Sequence, residues 1–275
     1  YKMSIYKKIL MIIIGFSIIS CEDVIDVNLK TAAPRLVIDA SINWVKGTPG
    51  NEQKIVLSTT TGYYSPTFPT VSGADITVTN STGAIFTFTE TTNTGEYACT
   101  NFEPVLGETY QMTILLNGET YTATETLTAA PDIMENIEQD NDGGMGGDEI
   151  EITFYYQDDP AVVNYYLFGV TSPAVAYPLY EVENDENSQG NVVPEFYSHE
   201  DLKPGDVVNI SLYGISKQYY DYMHKLIIAS GADAGPWPTT PSAVRGNIVN
   251  QTDFQNFAFG YFRLAEVDKL SLIHI

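Results

Sequence analysis

The sequence predicts a mainly β chain in two parts, on three observations. Short runs of alternating apolar and polar residues, rich in threonine and separated by turn residues, fill the first half. Further runs follow Pro131, broken by acidic, glycine-bearing stretches. Helical spacing of apolar residues is convincing in one segment, 216–230.

The elements follow in order. Leu36–Ile42 alternates imperfectly, and Lys54–Ser58 follows a Gly-Thr-Pro-Gly turn. Ala74–Thr79 and Ala84–Thr89 flank Asn80-Ser81-Thr82-Gly83, turn residues where a hairpin needs them. A strand at Gly95–Thr100 precedes Tyr110–Leu116, which reverses at Asn117-Gly118 into Glu119–Leu127; Asn-Gly is the strongest short hairpin signal. Roughly six to eight short strands, nearly free of helix, predict an immunoglobulin-like β-sandwich over residues 34–130. A second β-rich domain, 131–269, has strands at Ile150–Tyr156, Asn164–Val170, Asp206–Leu212 and Phe257–Val267. Its helix, 216–230, has Ser216 as cap, Tyr219, Met223, Leu226, Ile227 and Ser230 on one face, and Gly231 as its end. The other face carries His224 beside an Asp221–Lys225 pair. The stretches 140–149 and 181–191 read as acidic loops, and Leu270–Ile275 as a non-native tail without structure.

The start of the chain speaks to location. Lys7-Lys8 lead into the apolar run Ile9–Ile19, short of the ~20 residues a spanning helix needs, and the run stops at Ser20-Cys21. That is the layout of a lipoprotein export signal: residues 1–20 are the signal peptide, Cys21 is the lipidated residue, and 21–33 form an acidic tether bearing Glu22, Asp23 and Asp26. Lipid chains hold a domain on a membrane without spanning it. With Cys21 lipidated, Cys99 has no disulfide partner and reads as a small apolar strand residue.

Charge excludes some partners. The chain carries 13 Lys and Arg against 35 Asp and Glu; loss of Lys2, Lys7 and Lys8 with the signal leaves 10 basic residues and a net charge near −25. A body so acidic repels nucleic acid, so none is expected as a partner.

Taken together, Cys21–Val27, Leu36-Val37-Ile38, Val56-Leu57-Ser58, Val71–Ala74, Tyr121–Leu127, Gly214-Ile215-Ser216 with Tyr219-Tyr220, Gly246-Asn247-Ile248 and Gly260-Tyr261-Phe262 resemble a Bacteroidota lipoprotein family, domain of unknown function 4249. Arg263-Leu264 depart from that pattern, where small polar residues are commoner. The resemblance implies an outer-membrane protein, with acids after the acylated cysteine suiting display at the cell exterior, and a TonB-dependent transporter as companion. It brings no catalytic residues.

Motifs for chemistry are scarce. His-Glu-x-x-His, Gly-x-Ser-x-Gly, a phosphate-cradling loop and a dinucleotide fingerprint are all missing from the sequence. His199 reads as a surface residue, and no spacing singles out a carboxylate pair. Asp140, Asp142, Asp148 and Glu149 supply hard oxygens in a glycine-rich stretch, a candidate structural calcium site without the ordered spacing of an EF-hand. Tyr63, Tyr64, Phe68 and Trp237 are aromatic residues in loops, candidates to contact ligand. No other cofactor is expected. The leading expectation is a non-catalytic binding or accessory protein; a surface hydrolase using carboxylates and a structural adhesin-like module are the competing classes.

Overall fold

Alternation of side chains builds the first half. The computed structural model describes residues 33–62, 65, 67–230 and 243–273. In β1 (Leu36–Val45), Ile38, Ala40 and Ile42 are fully buried while their neighbours face outward. Strands β2 (Gln53–Thr59) and β5 (Glu96–Cys99) extend the same layer through Ile55, Leu57 and Tyr97. The facing layer comes from β3 (Asp75–Asn80), β4 (Ile85–Glu90), β6 (Thr109–Leu116) and β7 (Glu119–Thr126). Ile76, Val78, Phe86, Phe88, Met112 and Ile114 of that layer meet the first in one core. Each such side chain contributes about 1.5–3 kcal/mol by leaving water.

The turns form as their residues predict. Asn117 and Gly118, at φ 51° and 81°, make the two left-handed steps of a tight hairpin between β6 and β7. At the other hairpin, Asn80 Oδ1 accepts from the Ala84 amide (2.8 Å) and from Thr82 Oγ1 (2.8 Å).

The second half has two layers and a helix. Strands β10 (Tyr165–Thr171), β11 (Leu179–Asn184) and β13 (Val207–Gly214) form one layer, in the order β11-β10-β13. Strands β8 (Glu138–Gly143), β9 (Glu149–Gln157) and β12 (Val192–Ser198) form a separate three-stranded sheet ordered β12-β9-β8. Phe154, Tyr156, Tyr166, Phe168, Ile210 and Leu212 fill the space between them. Helix α1 (Lys217–Ser230) lies on the opposite face of the β10–β13 layer, with Tyr219 and Met223 buried. Ser216 caps it: its Oγ accepts from the Tyr219 amide at 3.1 Å.

One strand ties the halves together. β15 (Phe259–Ile273) pairs in parallel with β1 through Val267 and antiparallel with β13 from Val267 to Ile273. Phe262 and Leu264 enter the first core, Leu270 and Leu272 the second. A twelve-stranded sheet results, ordered β11-β10-β13-β15-β1-β2-β5-β4-β3-β6-β7-β14, where β14 is Val249–Asn250.

Several expectations are corrected here. The boundary at Pro131 separates two cores but not two sheets, because β15 belongs to both. Leu270–Ile273, read as a tail without structure, are paired strand. The stretch 140–149 is a hairpin, β8 with β9, whose first strand is exposed at all but its last position and so shows no alternation to read. On α1, Asp221 pairs with Lys217 (2.8 Å) rather than Lys225, His224 stacks on Tyr220, and Leu226 is exposed.

Candidate functional site

Among the described residues, those singled out from sequence do not converge on one centre. Cys21, Tyr63, Tyr64 and Trp237 lie outside the described residues. Phe68 is 70% exposed in the loop joining β2 to β3, which is held down where Thr59 and Val71 donate to the Pro69 and Leu57 carbonyls. Asp140, Asp142 and Asp148 are exposed along the β8–β9 hairpin, and Asp140 Oδ1 is taken by the Asp142 amide at 2.9 Å. Among the described residues no group of three or more His, Cys, Asp or Glu is arranged to hold a metal ion. His199 Nδ1 accepts from the Asp201 amide, a local turn contact.

A cleft of about 770 Å³ opens where the two halves meet. The linker Thr128–Asp132 forms one wall, Gln157–Tyr166 the other, and Leu106-Gly107 the rim. Gly214 lets the linker in: a β-carbon there would lie 1.8 Å from the Ala129 carbonyl oxygen. Carboxylates of β15 then fix the linker, Glu266 accepting from the Ala130 amide (3.0 Å) and Asp268 from that of Ile133 (2.7 Å). Lys46 bridges Asp132 (2.5 Å) and Glu266 (3.9 Å). The opposite wall hangs on Asp158, wholly buried, which accepts from the Tyr166 hydroxyl (2.5 Å) and the Gly190 amide (2.7 Å). Its lip, Val162-Val163, is exposed. The cleft's charged and hydroxyl groups are thus committed to holding its walls, and among the described residues none that lines it is a histidine, cysteine or serine able to act as base or nucleophile. Its free surface suits apolar contact.

Behind the cleft lies a buried polar joint. Glu125, 7% exposed at the end of β7, accepts from Ser216 Oγ (2.9 Å), from the Tyr261 hydroxyl (3.2 Å) and from the Thr126 amide (2.9 Å). Burial pushes its carboxyl above the ordinary range and outweighs these hydrogen bonds. Asn247 completes a second tie, its side chain donating to the Phe262 carbonyl and accepting from the Phe262 amide at 2.9 Å each. Segments quoted above for the family resemblance therefore meet here as scaffold: Glu125, Gly214, Ser216, Asn247, Gly260 and Tyr261. Glu125→Ala should cost about 2–3 kcal/mol by leaving buried hydroxyls unpaired, and Tyr261→Phe about 1 kcal/mol. Urea midpoints check this, and equal small shifts would show that the joint does not hold the halves.

Arg263, the departure from the family pattern, is 5% exposed on the α1 face. Its guanidinium lies 4.6 Å from the Tyr213 ring and 5.1 Å from that of Tyr219, and its Nη2 donates to Asn43 (2.7 Å), while Nε has no hydrogen-bond partner. Ring faces stand in for a carboxylate partner.

A second concavity escaped the sequence reading. Glu181 of β11 and Glu195 of β12 face a groove floored by Phe154, Phe168 and Val170. Burial, then the nearby charges of Glu183 and Glu181, push the Glu195 carboxyl up to about 8. The period of two in Leu179, Glu181 and Glu183 was the legible sign, hidden because the stretch read as loop.

The fold and its clefts define a mainly β, immunoglobulin-like layered protein without a catalytic constellation in its main cleft. The chain belongs to the family described as Domain of unknown function (DUF4249), whose model matches residues 22–271. No curated protein matches it. Among solved structures it is similar to a two-domain fibronectin type III segment of chicken tenascin, at 12% identity over 66% of this chain and 90% of that one, TM-score 0.22. It is also similar to a cytokine receptor complex (7% identity, 67% and 86% covered, TM-score 0.26). A third likeness is to a DUF4785 family protein from Legionella pneumophila (12% identity, 67% and 54% covered, TM-score 0.25).

Proposed function

We propose that this is a lipid-anchored outer-membrane protein, facing the cell exterior, that binds ligand or docks as an accessory of a TonB-dependent transporter in nutrient uptake. The observation that carries the reading is Ser20-Cys21 at the end of the apolar run Ile9–Ile19, followed at once by Glu22-Asp23. The cleft of about 770 Å³ supports binding over catalysis, since its polar groups are spent on its own walls. A surface hydrolase would need two carboxylates beside room for substrate; the Glu181–Glu195 groove encloses only about 30 Å³.

Metabolic labelling with palmitate tests the anchor. The wild-type chain should carry label and sediment with outer membrane, and Cys21→Ala should lose both. Label retained on Cys21→Ala would overturn the anchor. Purification of the tagged protein from outer membrane should bring a transporter with it, and its consistent absence would overturn the accessory role.

A further inference from the structure

β11 and β12 are both edge strands, each ending its own sheet, and the chain between them crosses from one layer to the other. That crossing is fixed where Asp158 accepts from the Gly190 amide and its own amide donates to the Asn191 carbonyl. The two free edges thus border one groove, closed at the crossing. Edge strands carry backbone N–H and C=O groups that no neighbour pairs.

Side chains around the groove are of two kinds. Leu179 and Phe196, which line it, are 43% and 59% exposed, large apolar groups left facing water. Alternation along β11 sends Val182 toward α1, and hence Leu179, Glu181 and Glu183 toward the groove. Glu195 reaches the same groove from β12. Among the described residues none of Glu181, Glu183 and Glu195 has a hydrogen-bond or ion-pair partner; Glu181 and the half-buried Glu195 line the apolar groove, and Glu183 follows on the same side of β11. Inward-pointing charge on an edge strand guards against pairing with another chain. A guard alone does not account for apolar residues exposed beside it, nor for a carboxyl partly withdrawn from water with no partner.

We propose that the groove between β11 and β12 receives an extended, lysine-bearing segment of a partner protein, which adds as a strand to an open edge and sets a lysine ammonium among Glu181, Glu183 and Glu195. Strand addition satisfies the free backbone groups, and a cation satisfies the carboxylates. Lysine carries a compact charge on a flexible stem, which suits so small a groove, about 30 Å³, better than a planar guanidinium does. A second copy of the chain fits badly: at net charge −22 it would bring the same acids to the same edge. The elevated Glu195 carboxyl is what a carboxylate without its cation shows. The inference stands independently of the anchor, whose test is the palmitate label.

Two end-blocked heptapeptides probe it, Thr-Val-Thr-Lys-Thr-Val-Thr and the same peptide with norleucine for lysine, titrated calorimetrically into the full chain in detergent. The lysine peptide should bind and slow amide hydrogen exchange in β11 or β12. The norleucine peptide should bind at least about tenfold more weakly, a difference of about 1.4 kcal/mol. The double variant Glu181→Gln, Glu195→Gln should lose the same factor for the lysine peptide with its circular dichroism unchanged. Equal affinity for both peptides, no binding of the lysine peptide, or protection elsewhere in the chain would overturn the proposal. So would sedimentation showing a dimer that the lysine peptide does not dissociate, since that would give the edge to a second copy.

Discussion

Gly260→Ala is expected to destabilise the protein by roughly 4 kcal/mol or more, a fall in melting temperature of roughly 8–16 °C for a unit of this size. Two costs coincide at this position. Gly260 has φ 97°, a left-handed conformation that costs an L-residue about 1–2 kcal/mol. A β-carbon would also stand 1.9 Å from the Ile38 carbonyl oxygen, and that atom belongs to the backbone of β1 and cannot rotate away. β1 and β15 form the seam between the halves, so any shift there disturbs both cores. The segment crossing above tightens the vice, for a β-carbon on Gly246 would lie 1.8 Å from the Gly260 carbonyl oxygen. Gly118 is the control: φ is 81° but nothing stands within 4 Å of an added β-carbon, so Gly118→Ala should cost only about 1 kcal/mol. Thermal unfolding of the two variants side by side decides the matter. Equal, small losses would show that β15 can move away from β1 without harm.

Local signals in the sequence located most elements, and the seam is where they failed. Asn117-Gly118, Asn80–Gly83 and Ser216 act within a few residues of themselves, and each forms the turn or cap its chemistry requires. The pairing of Val37 with Phe259 joins residues more than two hundred positions apart, and no local pattern encodes it. β15 is also too long for the usual strand, so its last residues read as a separate tail instead of the half that serves the second core. The acids misled in both directions. Asp140 and Asp142 drew notice because glycines surround them, yet they sit exposed on a hairpin without a shared centre. Glu181 and Glu195 lie fourteen positions apart in a polar stretch and meet only because β11 and β12 end different sheets at one opening. Among the described residues that carried the family resemblance, Glu125, Gly214, Ser216, Gly246, Asn247 and Gly260 are backbone close approaches and buried ties, which explains why they suggested no chemistry.

Glu195→Gln is expected to make the protein more stable at pH 8–9 and to flatten its dependence on pH. The folded state holds the Glu195 carboxyl at about 8, against 4.5 for the free group, chiefly because the groove removes water from it. Below pH 4.5 the carboxyl is protonated folded or unfolded, and its contribution is fully present. As pH rises toward 8 the unfolded chain releases the proton and the folded one keeps it, so stability falls across that window and levels off above it. Taken at about 1.4 kcal/mol per pH unit, the loss would exceed 4 kcal/mol. Water still reaches part of the side chain and screens it, so about 2 kcal/mol is the expected size. Glutamine keeps the shape without the charge and should remove the loss, leaving stability near pH 4.5 little changed. Glu183, raised by burial and by Glu181, should retain a smaller residual slope in the variant. Denaturant titrations of wild type and variant at pH 4.5, 6, 7.5 and 9 measure the difference directly. Parallel curves would mean that Glu195 ionises freely in the fold, and that the groove is wet enough to need no cation.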